Sequence, residues 1–143
     1  MITQAMCTSF KVGLFNGDFD FGTGTTQTFK VALYTSSATL SAATTAYSTS
    51  NEASGAGYTA GGQALTVSVV PTSTGTTAFL SFADVTWNTT TITARGALIY
   101  KADGVTNPAI AVIDFGEIKQ TNAGDFVINF PLADSVNAII KLT

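Results

Sequence analysis

From Phe29 onward, apolar side chains recur at every second position, and that period constrains the fold more than any other feature. In FKVALYT, Phe29, Val31 and Leu33 fall on one face, with Lys30, Ala32 and Tyr34 on the other. ALTVSVV sets Leu65, Val67 and Val69 against Thr66 and Ser68. TAFLSFADVTW offers Leu80 and Phe82, then Val85 and Trp87 beyond an irregularity at Ala83-Asp84. TITARGALIY groups Ile92, Ala94, Leu98 and Tyr100, and the runs AIAVIDF, FVINF and AIIKL follow. Successive side chains of a strand point to opposite faces, so such runs predict half-buried strands.

The residues between these runs are turn formers. Asp103-Gly104 in KADGVTNP favours a tight turn, Asn122-Ala123-Gly124 sits at the tip of KQTNAGD, and Pro131 closes FVINF. Residues 3–15 read as a short helix, because Met6, Phe10 and Leu14 fall at i, i+4 and i+8 with Thr3 as a cap. Gly13 weakens that helix, and a strand over TSFKVGLF is the competing reading. Residues 36–64 form a long segment rich in small side chains, with one helical turn expected around Leu40–Tyr47. The whole predicts one domain over residues 1–143. It is mainly β, an antiparallel β-sandwich of jelly-roll-like type with about seven or eight strands and a short N-terminal helix.

Composition removes several function classes. Histidine is absent, so Ser-His-Asp and Cys-His catalysis lack their base and the common zinc ligand sets lose a member. Charged residues make up 10% of the chain against roughly 25% in an average domain, and no basic stripe occurs. No nucleic-acid partner is therefore expected. No apolar stretch approaches the roughly 18 residues of a membrane span, so no membrane contact is expected either. MITQAMCTSFKVGLF lacks a basic start and a continuous apolar centre, which predicts no signal peptide. On that expectation the acceptor-like Asn88-Thr89-Thr90 is a chance match, and the lone Cys7 acts as a small buried hydrophobe. A surface this poor in charge suits coverage by partners, although a monomer kept soluble by hydroxyls is the alternative.

Individual motifs point away from catalysis. GAGYTAGG (Gly55 to Gly62) leads into a strand rather than a helix and lacks the Lys-Ser/Thr pair, so its glycines are read as conformational and not as a phosphate cradle. NGDFDFGTGTTQ spaces Asn16, Asp18 and Asp20 like a calcium loop, but Phe21 and Gln27 stand where glycine and glutamate belong. That leaves a polar turn, with a cation at Asp18 and Asp20 as the alternative. DFGE around Asp114 and Glu117 is not accompanied by the other kinase elements. Arg95, the only arginine, lies within a strand and either pairs with a carboxylate of its own chain or bridges to another subunit.

Four strings taken together carry a resemblance: MCTSFKVGLFNG, TFKVALYTSSATL, TTAYSTSNEASGAGYTAGGQALT and TWNTTTITARGALIY. They resemble a family of small structural proteins of tailed bacteriophages. The resemblance implies a virion component, made in the bacterial host cytoplasm, with no enzymatic activity and no cofactor. A capsid decoration or cement protein on the head shell is the leading expectation, and a tail or tail-fibre module touching a host-surface glycan is the alternative. The implied partners are the major capsid protein, other virion proteins and further copies of this chain. The long loop and the N-terminal segment are the expected contact regions, with Tyr47, Asn51, Glu52, Tyr58 and Arg95 as candidate interaction residues. Removal of residues 50–62 is expected to leave the fold intact and weaken incorporation into particles.

Overall fold

The computed structural model describes residues 1–143. Its elements in order are β1 (Ala5–Met6), α1 (Thr8–Asn16), β2 (Phe29–Tyr34), β3 (Gln63–Leu65), β4 (Val67–Thr74), β5 (Thr77–Phe82), β6 (Val85–Thr90), β7 (Thr93–Lys101), β8 (Ala109–Gln120), β9 (Gly124–Ile128) and β10 (Ile140–Leu142). The fold is mainly β, with 47% of residues in strands and 6% in helix. Every ladder is antiparallel, and the sheets run β1-β8-β7-β2-β3, β10-β5-β4 and β6-β9. Seven strands have five residues or more and coincide with the alternating runs of the sequence.

The five-stranded sheet is the centre. Residues directly opposite in a ladder share a face. Phe29, Val31 and Leu33 therefore lie with Lys101, Ile99 and Ala97 on one face, and Lys30, Ala32 and Tyr34 with Tyr100, Leu98 and Gly96 on the other. The first face meets the smaller sheets through Phe29 and Phe82, 6.5 Å apart between ring centres. The second lies under the segment 35–62, where Tyr47 stacks on Tyr100 at 4.6 Å. Both faces are covered, so Val31 to Tyr34 and Ala97 to Tyr100 are buried without alternation. Packed in this way the layers make a sandwich-like arrangement around one apolar core.

One long ribbon turns a corner between layers. β7 pairs β8 and β6 pairs β9, and the register runs on from Thr93↔Gln120 to Thr90↔Gly124. The bend falls at Thr91-Ile92 on one side and Thr121 to Ala123 on the other, where Ala123 takes φ 51°. The turn at Asn122-Ala123-Gly124 is thus a corner, and β8 and β9 do not pair with each other. The break at Ala83-Asp84 is a second change of layer, from β5 to β6. There Asp84 accepts the Phe130 N–H at 2.8 Å.

The helix starts later than the periodicity predicts. Residues 3–7 are extended because Thr3 N–H bonds Leu40 O at 2.9 Å and Ala5 and Met6 pair with Val112 and Ala111. Tertiary pairing overrides the local pattern. Thr3 is not the cap. Cys7 holds that position without a side-chain bond, and Thr8 N–H donates to Ala42 O at 2.8 Å. Gly13 gives room for the Phe19 ring, which meets Phe10 edge-on at 4.8 Å.

The segment after β2 also departs from expectation. No helical turn forms around Leu40–Tyr47. Ser41 to Thr44 makes a tight turn, and Thr45 and Tyr47 bond the chain at Ala109 and Asn107 as an extended segment. The glycines of GAGYTAGG press the backbone onto neighbouring strands. A Cβ on Gly62 (φ 74°) would land on the Val31 carbonyl oxygen, and one on Gly55 (φ 143°) on that of Thr91. Gly75, at the β4–β5 tip, has φ 60° and open space around it. Gly62→Ala is expected to destabilise by about 3 kcal/mol or more, from overpacking added to backbone strain. Gly75→Ala, which meets strain alone, costs about 1 kcal/mol. Urea unfolding midpoints compare the two, and equal losses would refute the close approach.

Candidate functional site

The chain has four tyrosines, and all four hydroxyls close on one short stretch of the long segment. Glu52 is the hub. Its Oε2 accepts the Tyr47 hydroxyl at 2.6 Å, and its Oε1 accepts the Tyr58 hydroxyl and the Gly61 N–H, each at 2.7 Å. Tyr100 donates to Gly61 O at 2.7 Å, so one residue, through its N–H and its carbonyl, joins the carboxylate to the sheet. Tyr34 donates to Ser48 O at 2.6 Å.

This network finishes the edge of β2. β3 covers only Phe29 to Val31. Beyond it, Leu33 N–H donates to the Tyr58 hydroxyl at 2.9 Å, and Leu33 O accepts Ala53 N–H at 2.8 Å. Thr35 N–H donates to Asn51 O at 3.0 Å, and an isolated bridge links Tyr34 to Glu52. Asn51 takes φ 60°, a conformation that asparagine tolerates better than most residues, and its side chain is exposed. The segment is therefore integral. Removing residues 50–62 would strip Glu52, Tyr58 and Gly61 from the β2 edge, so it is not separable from the fold as the sequence suggests.

The surroundings hold the phenols neutral. Burial, followed by the hydrogen bond to Glu52, pushes Tyr58 and Tyr47 well above the ordinary tyrosine value. Burial also dominates at Tyr34, and Tyr100 is pushed up to about 12 by burial and by the Glu52 charge. With both carboxylate oxygens occupied and each hydroxyl spent inward, the cluster acts as a clasp rather than as an acid–base pair.

Arg95 pairs within its own chain. Nη1 meets Asp114 Oδ1, both side chains are about three-quarters buried, and the same oxygen accepts Gly116 N–H at 2.8 Å. Asp114 stands opposite Gly96, where β7 and β8 shift register, so the pair pins an irregular stretch of the ladder. Lys119 and Glu117 form an exposed pair nearby. In the calcium-like loop, Gln27 takes the closing role. Its side chain accepts Asp20 N–H at 2.9 Å and donates to Asp18 O at 3.2 Å, while Asp20 Oδ1 accepts Gly22 N–H at 2.8 Å. Asp103 is held well below the usual carboxylate range by backbone N–H groups of Asn107 and Val105 and by Thr106, which orders the turn before β8.

Of the five candidate interaction residues, the structure brings Tyr47, Glu52 and Tyr58 together, with Asn51 beside them and Arg95 elsewhere on β7. Sequence reasoning missed Tyr34 and Tyr100 as members of the cluster. The available signal was that Tyr34 and Lys30 share a strand face, so a pairing that sets Lys30 opposite Tyr100 aligns both tyrosines. No family model, curated protein or solved structure matches the chain.

Two outcomes follow from the clasp. Tyr58→Phe leaves the Leu33 N–H without its acceptor and is expected to cost about 2 kcal/mol, whereas Tyr47→Phe, which frees no backbone group, costs about 1 kcal/mol. Urea unfolding of both variants tests the order. The raised phenol values also fix a sign. Above the ordinary value of 10.0 the unfolded chain loses tyrosine protons that the folded chain retains, so stability falls as pH rises. It is intact below about pH 10 and declines through about 12, the value at Tyr100. Phenolate absorbance should then rise together with unfolding, and a full phenolate signal from still-folded protein would refute the enclosure.

Proposed function

We propose that this chain is a non-enzymatic structural protein of a tailed bacteriophage virion, binding the head shell as a capsid decoration or cement protein. The observation that carries the reading is a division of labour in the side chains. Several polar groups are engaged within the fold, in the partly buried Glu52 clasp and Arg95–Asp114 pair. Apolar groups stand outside: Phe15 is 94% exposed, Val105 86% and Leu132 73%. Few charges accompany them, since only 10% of residues are charged. A surface of this kind suits burial against neighbours, and repetition on a lattice multiplies a weak contact into firm attachment. The resemblance of four stretches to phage structural proteins supports the same reading, with the major capsid protein and further copies of the chain as partners.

Immunogold labelling of intact particles tests it. Label over the heads, with recovery of the chain in fixed ratio to the shell protein, is the expected result. Label confined to tails would transfer the assignment to a tail or fibre module contacting a host-surface glycan. A chain missing from washed particles would overturn both.

A further inference from the structure

A sheet edge left unpaired is an open template for another strand, and folded chains normally shorten, interrupt or cover theirs. This chain guards its edges in those ways, with one exception. β1, β3 and β10 have three residues or fewer, β4 carries Pro71 and two breaks in register, and β8 loses register around Gly116 (φ 78°) past the end of β1. The outer edge of β6 is closed by Gln63, whose Nε2 donates to Thr86 O at 3.0 Å, and by a bridge from Ala56 to Thr91. β9 has five residues, no proline and one neighbour, β6. Because Thr86 turns its carbonyl away from β9, Val127 opposite it turns its own N–H and C=O away from β6. Phe130 points its N–H back to Asp84 beside β6, as the alternation requires. The free peptide groups face a cleft of about 360 Å³, which follows Asp125 to Asn129 along the edge and is bounded on the far side by Phe115 and Lys119 of β8.

We propose that a second copy of this chain pairs on that edge, β9 against β9 in antiparallel register about a two-fold axis at Val127. The unmet groups are peptide N–H and C=O, so the occupant is an extended backbone. The side-chain order makes this strand its own partner. With Val127 opposite its mate, Asp125 of each copy stands opposite Asn129 of the other, and Phe126 opposite Ile128. Asp125 Oδ1 is taken by Thr89 N–H at 2.9 Å, and Oδ2 is left to accept from the exposed Asn129 amide. A register centred on Asp125 would instead oppose two carboxylates. Lys119, the other charged residue of the cleft, is already paired with Glu117. The two β6-β9 ribbons join as one four-stranded sheet whose outer edges are the β6 edges covered by Gln63, so assembly stops at the dimer.

The proposal rests on the self-association part of the function proposed above and not on the virion assignment. It is therefore tested on the purified full-length protein, where failure leaves the labelling result untouched. Sedimentation equilibrium is expected to show a monomer–dimer equilibrium. Val127→Pro removes an N–H that bonds nothing within the chain, so dimerisation should weaken about tenfold or more while the monomer keeps its thermal midpoint. The exposed Asn129 gives a second pair of variants that leave the core untouched. Asn129→Asp, facing Asp125 of the other copy, should weaken the dimer several-fold, and Asn129→Lys should tighten it, both effects fading in high salt. Cα atoms of a hydrogen-bonded pair lie about 5.5 Å apart, so Val127→Cys should oxidise to a linked dimer, and the buried Cys7 does not compete. A monomer at concentrations up to about 1 mM, dimerisation undiminished by Val127→Pro, or the same response to Asn129→Asp and Asn129→Lys would each overturn the proposal.

Discussion

An unfinished strand edge governs this structure. β2 lies second from the edge of the central sheet, yet its outer neighbour β3 ends after three residues. From Leu33 on, peptide groups would face outward unpaired, an expensive arrangement in a buried strand and an invitation to aggregation in an exposed one. The chain solves this without another strand. Ala53, Asn51 and the Tyr58 hydroxyl supply the missing partners, and Glu52 locks those suppliers together. A side-chain hydroxyl can stand in for a peptide carbonyl because it accepts from one side while donating to the other. Tyr58 does both, and the carboxylate beneath it fixes the direction of its proton. The loop is long because it has to leave the sheet, cross its Tyr34–Tyr100 face and return to the edge through Gly61 and Gly62.

The second constraint is the corner in the ribbon. A two-stranded ribbon running straight from Lys101 to Val85 would leave one face of the central sheet bare. The bend at Thr91-Ile92 and Thr121 to Ala123 folds β6 and β9 into another sheet, where Trp87 and Phe126 pack edge-on at 6.1 Å. The corner is held by Thr90, whose buried hydroxyl donates to Gly124 O at 2.9 Å and lies 2.7 Å from the Thr121 hydroxyl. The abundance of threonine therefore has a structural use: a β-branched residue fits the strand, and its hydroxyl pairs across the bend.

Much of this was legible in the sequence, and the failures share a cause. Alternation located the seven longer strands because burial of one face leaves a period of two. It could not reveal that β2 and β7 are covered on both sides, since Lys30 and Thr93 at their ends preserve the look of a polar face. Met6, Phe10 and Leu14 are helically spaced, yet Met6 is claimed by Ala111 on β8, and no local rule sees a partner more than a hundred residues away. The same holds at the clasp. Tyr47, Glu52 and Tyr58 stood out in the loop as polar and aromatic groups suited to a partner. Their partners are Leu33, Gly61 and one another, and spacing alone does not disclose pairings that depend on how a loop returns. The Arg95–Asp114 pair was partly legible, because a lone guanidinium within an apolar strand calls for a carboxylate.

The inward turn of these polar groups changes how the outer surface reads. In a domain whose charges are few, the clasp and the Arg95 pair tie three charged side chains, Glu52, Arg95 and Asp114, into partly buried contacts of the fold itself. What is left outside is hydroxyls, small side chains, scattered charges such as Asp84, Lys119 and Asp125, and isolated large apolar groups such as Phe15, Val105 and Leu132. Hydroxyls hydrate without the desolvation cost of an ion, so a neighbour can displace that water cheaply, while each apolar group gains when covered. A formal net charge of −3 leaves only modest long-range repulsion between identical copies. The same allocation that ties the fold's polar groups to one another thus leaves an exterior of scattered charges, many hydroxyls and single large apolar groups, of which Phe15 on α1 is the most exposed after folding.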